Sequence, residues 1–344
     1  MKRLFAALLV SCSLLTLLAG CGANASANGK SVTLILGAYS APQEVYARLI
    51  PMFQQQWKQQ TGQDVTFKQS YLGSGAQSRA IVNGFQADVA ALSVAPDVDA
   101  IAKAGLITHD WTNTPTKGMV STSIVAFAVR KGNPKGIHDW ADLARPGIQI
   151  LTPDPKTSGG AQWNILALYG AAMRGYVTGV AQNDPHAALT FLEAVLKNVK
   201  AFDKDARTSI TNFEQGVGDV AITYESEVLT AQAAGKDDDL VIPTSTILIQ
   251  TPAAVVDANV NRHGTRKVAE AFVAFLASPA AQQVFASSGY RPIDATVAQA
   301  NAAKYPAVTD LWTIDFLGGW KAVKASFFGD SGIYVQALAA VQGQ

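Results

Sequence analysis

The chain reads as an α/β protein built of two lobes. Short β-rich runs alternate with longer helical stripes, and 344 residues exceed what one hydrophobic core usually serves. Two Ser/Thr-rich segments, Thr116–Ser123 and Thr244–Thr251, each directly follow a proline and bracket a coherent strand and helix block. That block is expected to be a second lobe inserted into the first, with residues 31–117 and 251–344 forming lobe one and residues 118–250 forming lobe two. Two crossover strands make a hinge, and ligands favour the cleft that such a hinge closes.

The elements follow in order. Val32–Leu36, Val65–Gln69, Asp88–Val94, Ile124–Val129, Ile148–Leu151 and Val220–Tyr224 are short, rich in branched residues and mostly bounded by Gly, Pro, Asp or Ser, which predicts buried strands. Between them Val45, Leu49, Phe53 and Trp57 recur at helical spacing, as do Trp163, Leu166, Ala167 and Tyr169, and then Val268, Ala271, Phe272, Phe275 and Leu276. These stripes are core and carry no function of their own.

Ahead of the body, Lys2 and Arg3 precede an apolar stretch, Leu4–Leu18, that ends in Leu18-Ala19-Gly20-Cys21. A charged start, a short apolar run and a small-residue cleavage site are the layout of an export signal over residues 1–20, and about 15 apolar residues fall short of the roughly 20 that span a bilayer. The Leu-Ala-Gly-Cys ending resembles the lipobox of bacterial lipoproteins, which implies a lipid on Cys21. Residues 21–30 are then a small, polar, flexible linker. Removal of the leader also removes Cys12, so one cysteine remains and no internal disulfide forms.

Composition narrows the function. Charged residues make up 15% and the AVILMFWYC set 49%, which excludes a disordered chain, and no run of 20 apolar residues follows the N-terminus, which excludes a helical multi-span membrane protein. The formal charge of +1 becomes −1 once Lys2 and Arg3 leave, with 25 basic against 26 acidic residues, so there is no electrostatic footprint for nucleic acid. His109, His138, His186 and His263 lie far apart without metal-ligand spacing, and Asp237-Asp238-Asp239 matches no calcium loop. Gly29-Lys30-Ser31 lacks the earlier glycine of a phosphate loop, and neither a G-x-S-x-G elbow nor a G-x-G-x-x-G turn occurs where a helix opens. No cofactor is expected, and no catalytic residue.

Three loop-to-helix junctions are the informative positions. Ser40-Ala41-Pro42 follows the first strand with a capping serine and an early proline, Leu72-Gly73-Ser74-Gly75 follows the second, and Thr157-Ser158-Gly159-Gly160 follows the fifth. A helix start offers unpaired N–H groups and about half a positive charge, a setting for a tetrahedral oxyanion, and glycine at 159 and 160 lets the backbone approach it. Ordinary capping explains the same residues.

Longer motifs decide between those readings. Lys58-Gln59-Gln60-Thr61-Gly62-Gln63-Asp64-Val65 with Gln69-Ser70, and Asp154-Pro155-Lys156-Thr157-Ser158-Gly159-Gly160-Ala161-Gln162, resemble the two signatures of the bacterial sulfate-binding proteins of ABC transporters. Arg130-Lys131-Gly132-Asn133-Pro134-Lys135, Ile137-His138-Asp139-Trp140, Tyr290-Arg291-Pro292 and Gly318-Gly319-Trp320 extend the likeness over nearly the whole chain after the leader. The resemblance implies a two-lobed periplasmic-binding-protein fold of type II, a monomer outside the cytoplasmic membrane on its periplasmic or extracellular face, a membrane permease as partner and no catalysis. It further implies a sulfate held by neutral donors: the Ser74 hydroxyl and the amides of Ser40, Ser158, Gly159, Gly160 and Ala206. Arg207, beside Ala206, is expected to stiffen that loop. Ser40 stands where the family commonly has Asp, and Tyr224 where it commonly has Trp. An indole N–H only donates, whereas a phenol also accepts, so Tyr224 leaves thiosulfate, molybdate, tungstate and phosphate open beside sulfate. A sulfate sensor without a transport role and an anion-dependent enzyme are the remaining alternatives.

Overall fold

A computed structural model describes residues 31–343; the expected leader, Cys21 and the linker lie outside the described residues. The chain opens with β1 (Val32–Tyr39), α1 (Gln43–Thr61), β2 (Val65–Leu72), α2 (Ser74–Val82), β3 (Val89–Ala91) and α3 (Ala95–Lys103), then enters the long β4 (Met119–Val129). The middle holds α4 (Trp140–Leu143), β5 (Ile150–Pro153), α5 (Gly159–Met173), α6 (Pro185–Lys197), β6 (Val199–Asp203), α7 (Ala206–Glu214), β7 (Val220–Tyr224), α8 (Glu225–Ala233) and β8 (Asp239–Val241). A second long strand, β9 (Ser245–Val255), leads to α9 (Asp257–His263), α10 (Arg266–Leu276), α11 (Pro279–Ser287), α12 (Ala295–Ala300), β10 (Asp310–Trp312), α13 (Gly319–Phe328) and α14 (Ile333–Gln342).

The sheet runs β2-β1-β3-β9-β4-β7-β5-β6, with β10 beside β9 and β8 beside β4. The β2-β1-β3 set is parallel, as is β7-β5-β6, and the two meet only through β4 and β9. These two strands are antiparallel to each other and change partners midway: β4 pairs with β9 up to Ile124 and with β7 from Val125, while β9 pairs with β4 up to Pro252 and with β3 over Ala253–Val255. They are the two crossings between the lobes. Beside them Arg291, from the Tyr-Arg-Pro motif, forks onto the fully buried Glu225 at the start of α8 through Nε at 2.7 Å and Nη2 at 2.9 Å. Paired guanidinium donors on one carboxylate fix orientation as well as position, so this contact pins α8 to the crossing.

Each lobe has its own core. In the first, Phe53, Phe67, Phe272 and Phe275 from α1, β2 and α10 pack with centroids 5.0–6.1 Å apart, mostly edge to face. In the second, α5 (GGAQWNILALYGAAM) is apolar apart from Gln162 and Asn164, and the structure buries it on every face.

Two expectations change. The segment from Asp310 onward, expected in lobe one, packs on lobe two. Arg174 of α5 forks onto Asp310, the Tyr169 and Phe327 rings meet edge to face at 5.0 Å, and Trp320 meets Trp163 at 4.7 Å. The physical reason is that the largely apolar α5 needs cover on its outer side, and β10, α13 and α14 supply it. Ser40 also does not cap α1 through its side chain; its carbonyl accepts the Gln43 amide instead, at 3.3 Å.

Gly170 shows how tightly that tail is seated, since a Cβ there would stand 2.2 Å from the buried Trp312 ring. Overpacking of this kind costs about 1–3 kcal/mol, so Gly170→Ala should lower the thermal midpoint by several degrees in calorimetric unfolding. An unchanged midpoint would mean that the tail is loosely held.

Candidate functional site

Four helix starts from the two lobes converge on one buried cleft. Lobe one supplies the Ser40-Ala41 turn before α1 and the Gly73-Ser74 start of α2; lobe two supplies Ser158-Gly159-Gly160 at α5 and Asp205-Ala206-Arg207 at α7. Ser40, Ser74, Ser158, Gly159, Gly160, Ala206 and Tyr224 are all buried. The junctions form because residues that favour non-helical backbone precede each helix: Ser158 caps α5 by accepting the Ala161 amide, and Asp205 caps α7 by accepting the Thr208 amide.

The lobes touch closely. A Cβ on Gly159 would stand 2.8 Å from the Ser93 side chain and 3.2 Å from the Ser74 Cβ across the seam, while within lobe two one on Gly160 would stand 2.8 Å from the Tyr224 ring. A Cβ on Gly73 would stand 2.5 Å from the Thr157 carbonyl oxygen. Glycine is required at these three places because backbone and side chains meet there without room for another atom. Across the same seam the Ala76 amide donates to the Thr157 carbonyl at 3.2 Å, and Arg79 Nη1 to the Lys156 carbonyl at 2.9 Å.

Ser93, at the end of β3, is the junction that the sequence reading missed. Its amide donates to Ser74 Oγ at 2.9 Å, its carbonyl accepts the Trp163 indole N–H at 3.0 Å, and its hydroxyl lies 2.6 Å from the Tyr224 hydroxyl. The last two contacts join lobe one to lobe two.

The hydrogen-bond inventory sorts the expected donors. Among the described residues the amides of Ser40, Gly159, Gly160 and Ala206 have no acceptor. The Ser158 amide is committed, donating to the Asp154 carbonyl at 2.8 Å, whereas its hydroxyl only accepts the Ala161 amide and keeps its own proton. Ser74 is the reverse: its hydroxyl is committed to Asp97 Oδ2 at 2.5 Å. Of the two serines, Ser158 therefore offers a hydroxyl and Ser74 an amide, the opposite of the expected assignment.

Charge stands behind the donor loops. Arg207 bonds Glu44 Oε2 at 2.6 Å and the Ala41 carbonyl at 3.0 Å in lobe one, and reaches Glu227 Oε2 at 3.2 Å in lobe two. It thus ties the loop beside Ser40 to the helix start beside Ala206, a firmer role than the expected stiffening of one loop. Burial pushes Glu227 up to about 7, with Arg207 pulling the other way. Burial also raises Asp97 above the usual carboxylate range, although its bond from Ser74 works against this. The Tyr224 phenol is driven well above its ordinary value, again by burial, and stays a neutral donor and acceptor. The arrangement can hold an anion by neutral donors from both lobes.

Residues 34–291 match the family described as bacterial extracellular solute-binding protein. The chain is 44% identical to the sulfate-binding protein of Synechococcus elongatus over 95% of this chain and 93% of that one. It is 38% identical to the thiosulfate-binding protein of Escherichia coli, over 90% and 92%. The structure is similar to that of the sulfate-binding protein SubI from Mycobacterium tuberculosis, with a TM-score of 0.79 at 38% identity, covering 86% of this chain and 99% of that one. The chain belongs to the bacterial extracellular solute-binding protein family, alongside the sulfate-binding and thiosulfate-binding proteins.

Proposed function

We propose that this protein captures sulfate between its lobes outside the cytoplasmic membrane and delivers it to an ABC-type permease, catalysing nothing itself. The observation that carries this reading is the set of five acceptor-free amides, Ser40 and Ser74 from lobe one and Gly159, Gly160 and Ala206 from lobe two, at helix starts that meet at one buried seam. With the Ser158 hydroxyl they form a donor-only cradle for a fully ionised tetrahedral anion. Because the donors come from both lobes, the anion favours the closed form, and only such differential contact can drive closure.

In this reading the lobes divide at the β4 and β9 crossings, near the expected boundaries, and Asp97 stays outside the cradle behind Ser74. The Tyr224 hydroxyl is engaged across the seam with the Ser93 hydroxyl, 2.6 Å away. Thiosulfate is the second ligand to weigh, because a relative carrying that name is 38% identical. Its fourth ligand atom is a sulfur, a poorer acceptor for an amide cradle than oxygen.

A hydrogen bond to a charged ligand contributes about 1.5–3 kcal/mol, so Ser158→Ala should weaken sulfate binding roughly 10- to 100-fold in calorimetric titration without loss of fold. Unchanged affinity would remove the Ser158 hydroxyl from the cradle, and no binding of sulfate to the parent protein would remove the function. We further propose that Cys21 carries the lipid that tethers the protein. Cys21→Ser should then shift it from the membrane to the soluble fraction, and continued membrane association would contradict the anchor.

A further inference from the structure

We infer that α13, carried by lobe two, is a clasp that closes on α3 of lobe one together with the cleft, and that Lys324 on its exposed side thereby slows the release of sulfate. The inference rests on the oxyanion reading of the site and adds to it a determinant of release that touches no ligand.

One face of α13 fixes it to lobe two. Trp320, Val323 and Phe327 recur at helical spacing, and Val323 and Phe327 are buried. The Phe327 ring meets Tyr169 edge to face at 5.0 Å, and Trp320 meets Trp163 at 4.7 Å. From this seat α13 also packs on α3, across the boundary between the lobes. Burial raises the Asp97 and Asp99 carboxyls of α3, and Lys324, exposed and next to Val323, stands near enough to both to work against it. A cation of lobe two thus faces two acids of lobe one.

The place of this contact ties it to closure. α3 opens two residues after Ser93, whose carbonyl accepts the Trp163 indole N–H at 3.0 Å, and Trp320 packs on that same indole. Val94, between Ser93 and α3, is fully buried in the apolar cluster that holds Trp163, Val323 and Phe327. Ser93, Val94 and α3 ride on lobe one, while Trp163 and α13 ride on lobe two. A hinge motion that parts Trp163 from Ser93 therefore parts α13 from α3 as well.

Contacts made only in the closed form favour that form, and in a free protein that rests open they raise affinity by the factor by which they favour closing. The gain falls on dissociation, because the anion enters an open cleft but leaves only after the lobes part. Lys324→Glu sets a third acid against Asp97 and Asp99 and opposes closing. Lys321→Glu makes the same change of net charge one turn earlier, at an exposed position that acts on neither carboxyl.

Stopped-flow measurement of sulfate association and dissociation in the two variants tests the clasp. Dissociation should be about two- to tenfold faster in Lys324→Glu at low salt, with association nearly unchanged, and the difference should shrink in high potassium chloride. Lys321→Glu should release sulfate as the parent does. A second measurement reads the motion itself: with Cys12→Ser and Cys21→Ser as background, Asp99→Cys and Lys324→Cys should be joined by a short bismaleimide severalfold faster with sulfate than without. Unchanged dissociation in Lys324→Glu, equally fast dissociation in Lys321→Glu, or crosslinking at one rate with and without sulfate overturns the inference. No sulfate binding by the parent protein overturns the oxyanion reading itself, and this inference with it.

Discussion

Backbone amides that the fold leaves without an acceptor, at helix starts inside a closed cleft, are the constraint on which the rest of the molecule depends. A buried donor without a partner costs about 1–3 kcal/mol, so a chain that buries several in one place keeps them for a ligand that supplies the acceptors. Aiming helices from two lobes at one point requires two sheets, and joining those sheets so that they can close requires crossings with little else between them. β4 and β9 are those crossings. The anion's charge then meets oriented dipoles in place of a fixed cation, which keeps the attraction strong enough to close the lobes without a salt bridge that would hold the ligand against release.

Closure converges on Ser93, whose amide, carbonyl and hydroxyl each have a different partner, two of them in the opposite lobe. The Trp163 contact is notable because the same helix supplies Gly159 and Gly160, so the cradle and the seam move as one rigid element. Arg207 makes a second tie at the other end of the cleft, and both ties sit next to residues that carry donor amides. Binding and closing are therefore the same event in geometric terms.

Much of this was legible in the sequence. The junctions at Ser40, Ser74 and Ser158 could be found because small and capping residues follow branched strands, and the core role of α5 shows in its Trp163, Leu166, Ala167 and Tyr169 stripe. β9 was expected as a crossover strand near Thr244–Thr251, but its extension to Val255 was hidden because Gln250, Thr251 and Pro252 interrupt its pattern, and β6, β8 and β10 are too short or too polar to stand out. The packing of the tail on α5 depends on contacts more than a hundred residues apart, such as Arg174 with Asp310, for which local pattern has no signal. Ser93 reads as one polar residue in an apolar run. The exchanged roles of Ser74 and Ser158 depend on two acceptors, Asp97 and the Asp154 carbonyl, that only the folded chain brings to them.

Selectivity in such a cradle comes from what it lacks as much as from what it holds. The acceptor-capable hydroxyls of Tyr224 and Ser93 satisfy each other across the seam, and the nearby carboxylates are engaged elsewhere, Asp97 with Ser74, Asp205 with the Thr208 amide, and Glu44 and Glu227 with Arg207. The central claim is that neutral donors of both lobes surround one sulfate, and a crystal structure of the protein with sulfate bound tests it most directly. The account predicts sulfate oxygens within about 2.7–3.2 Å of the Ser40, Ser74, Gly159, Gly160 and Ala206 amides and the Ser158 hydroxyl. A sulfate held by one lobe alone, or bound outside this cleft, would contradict it.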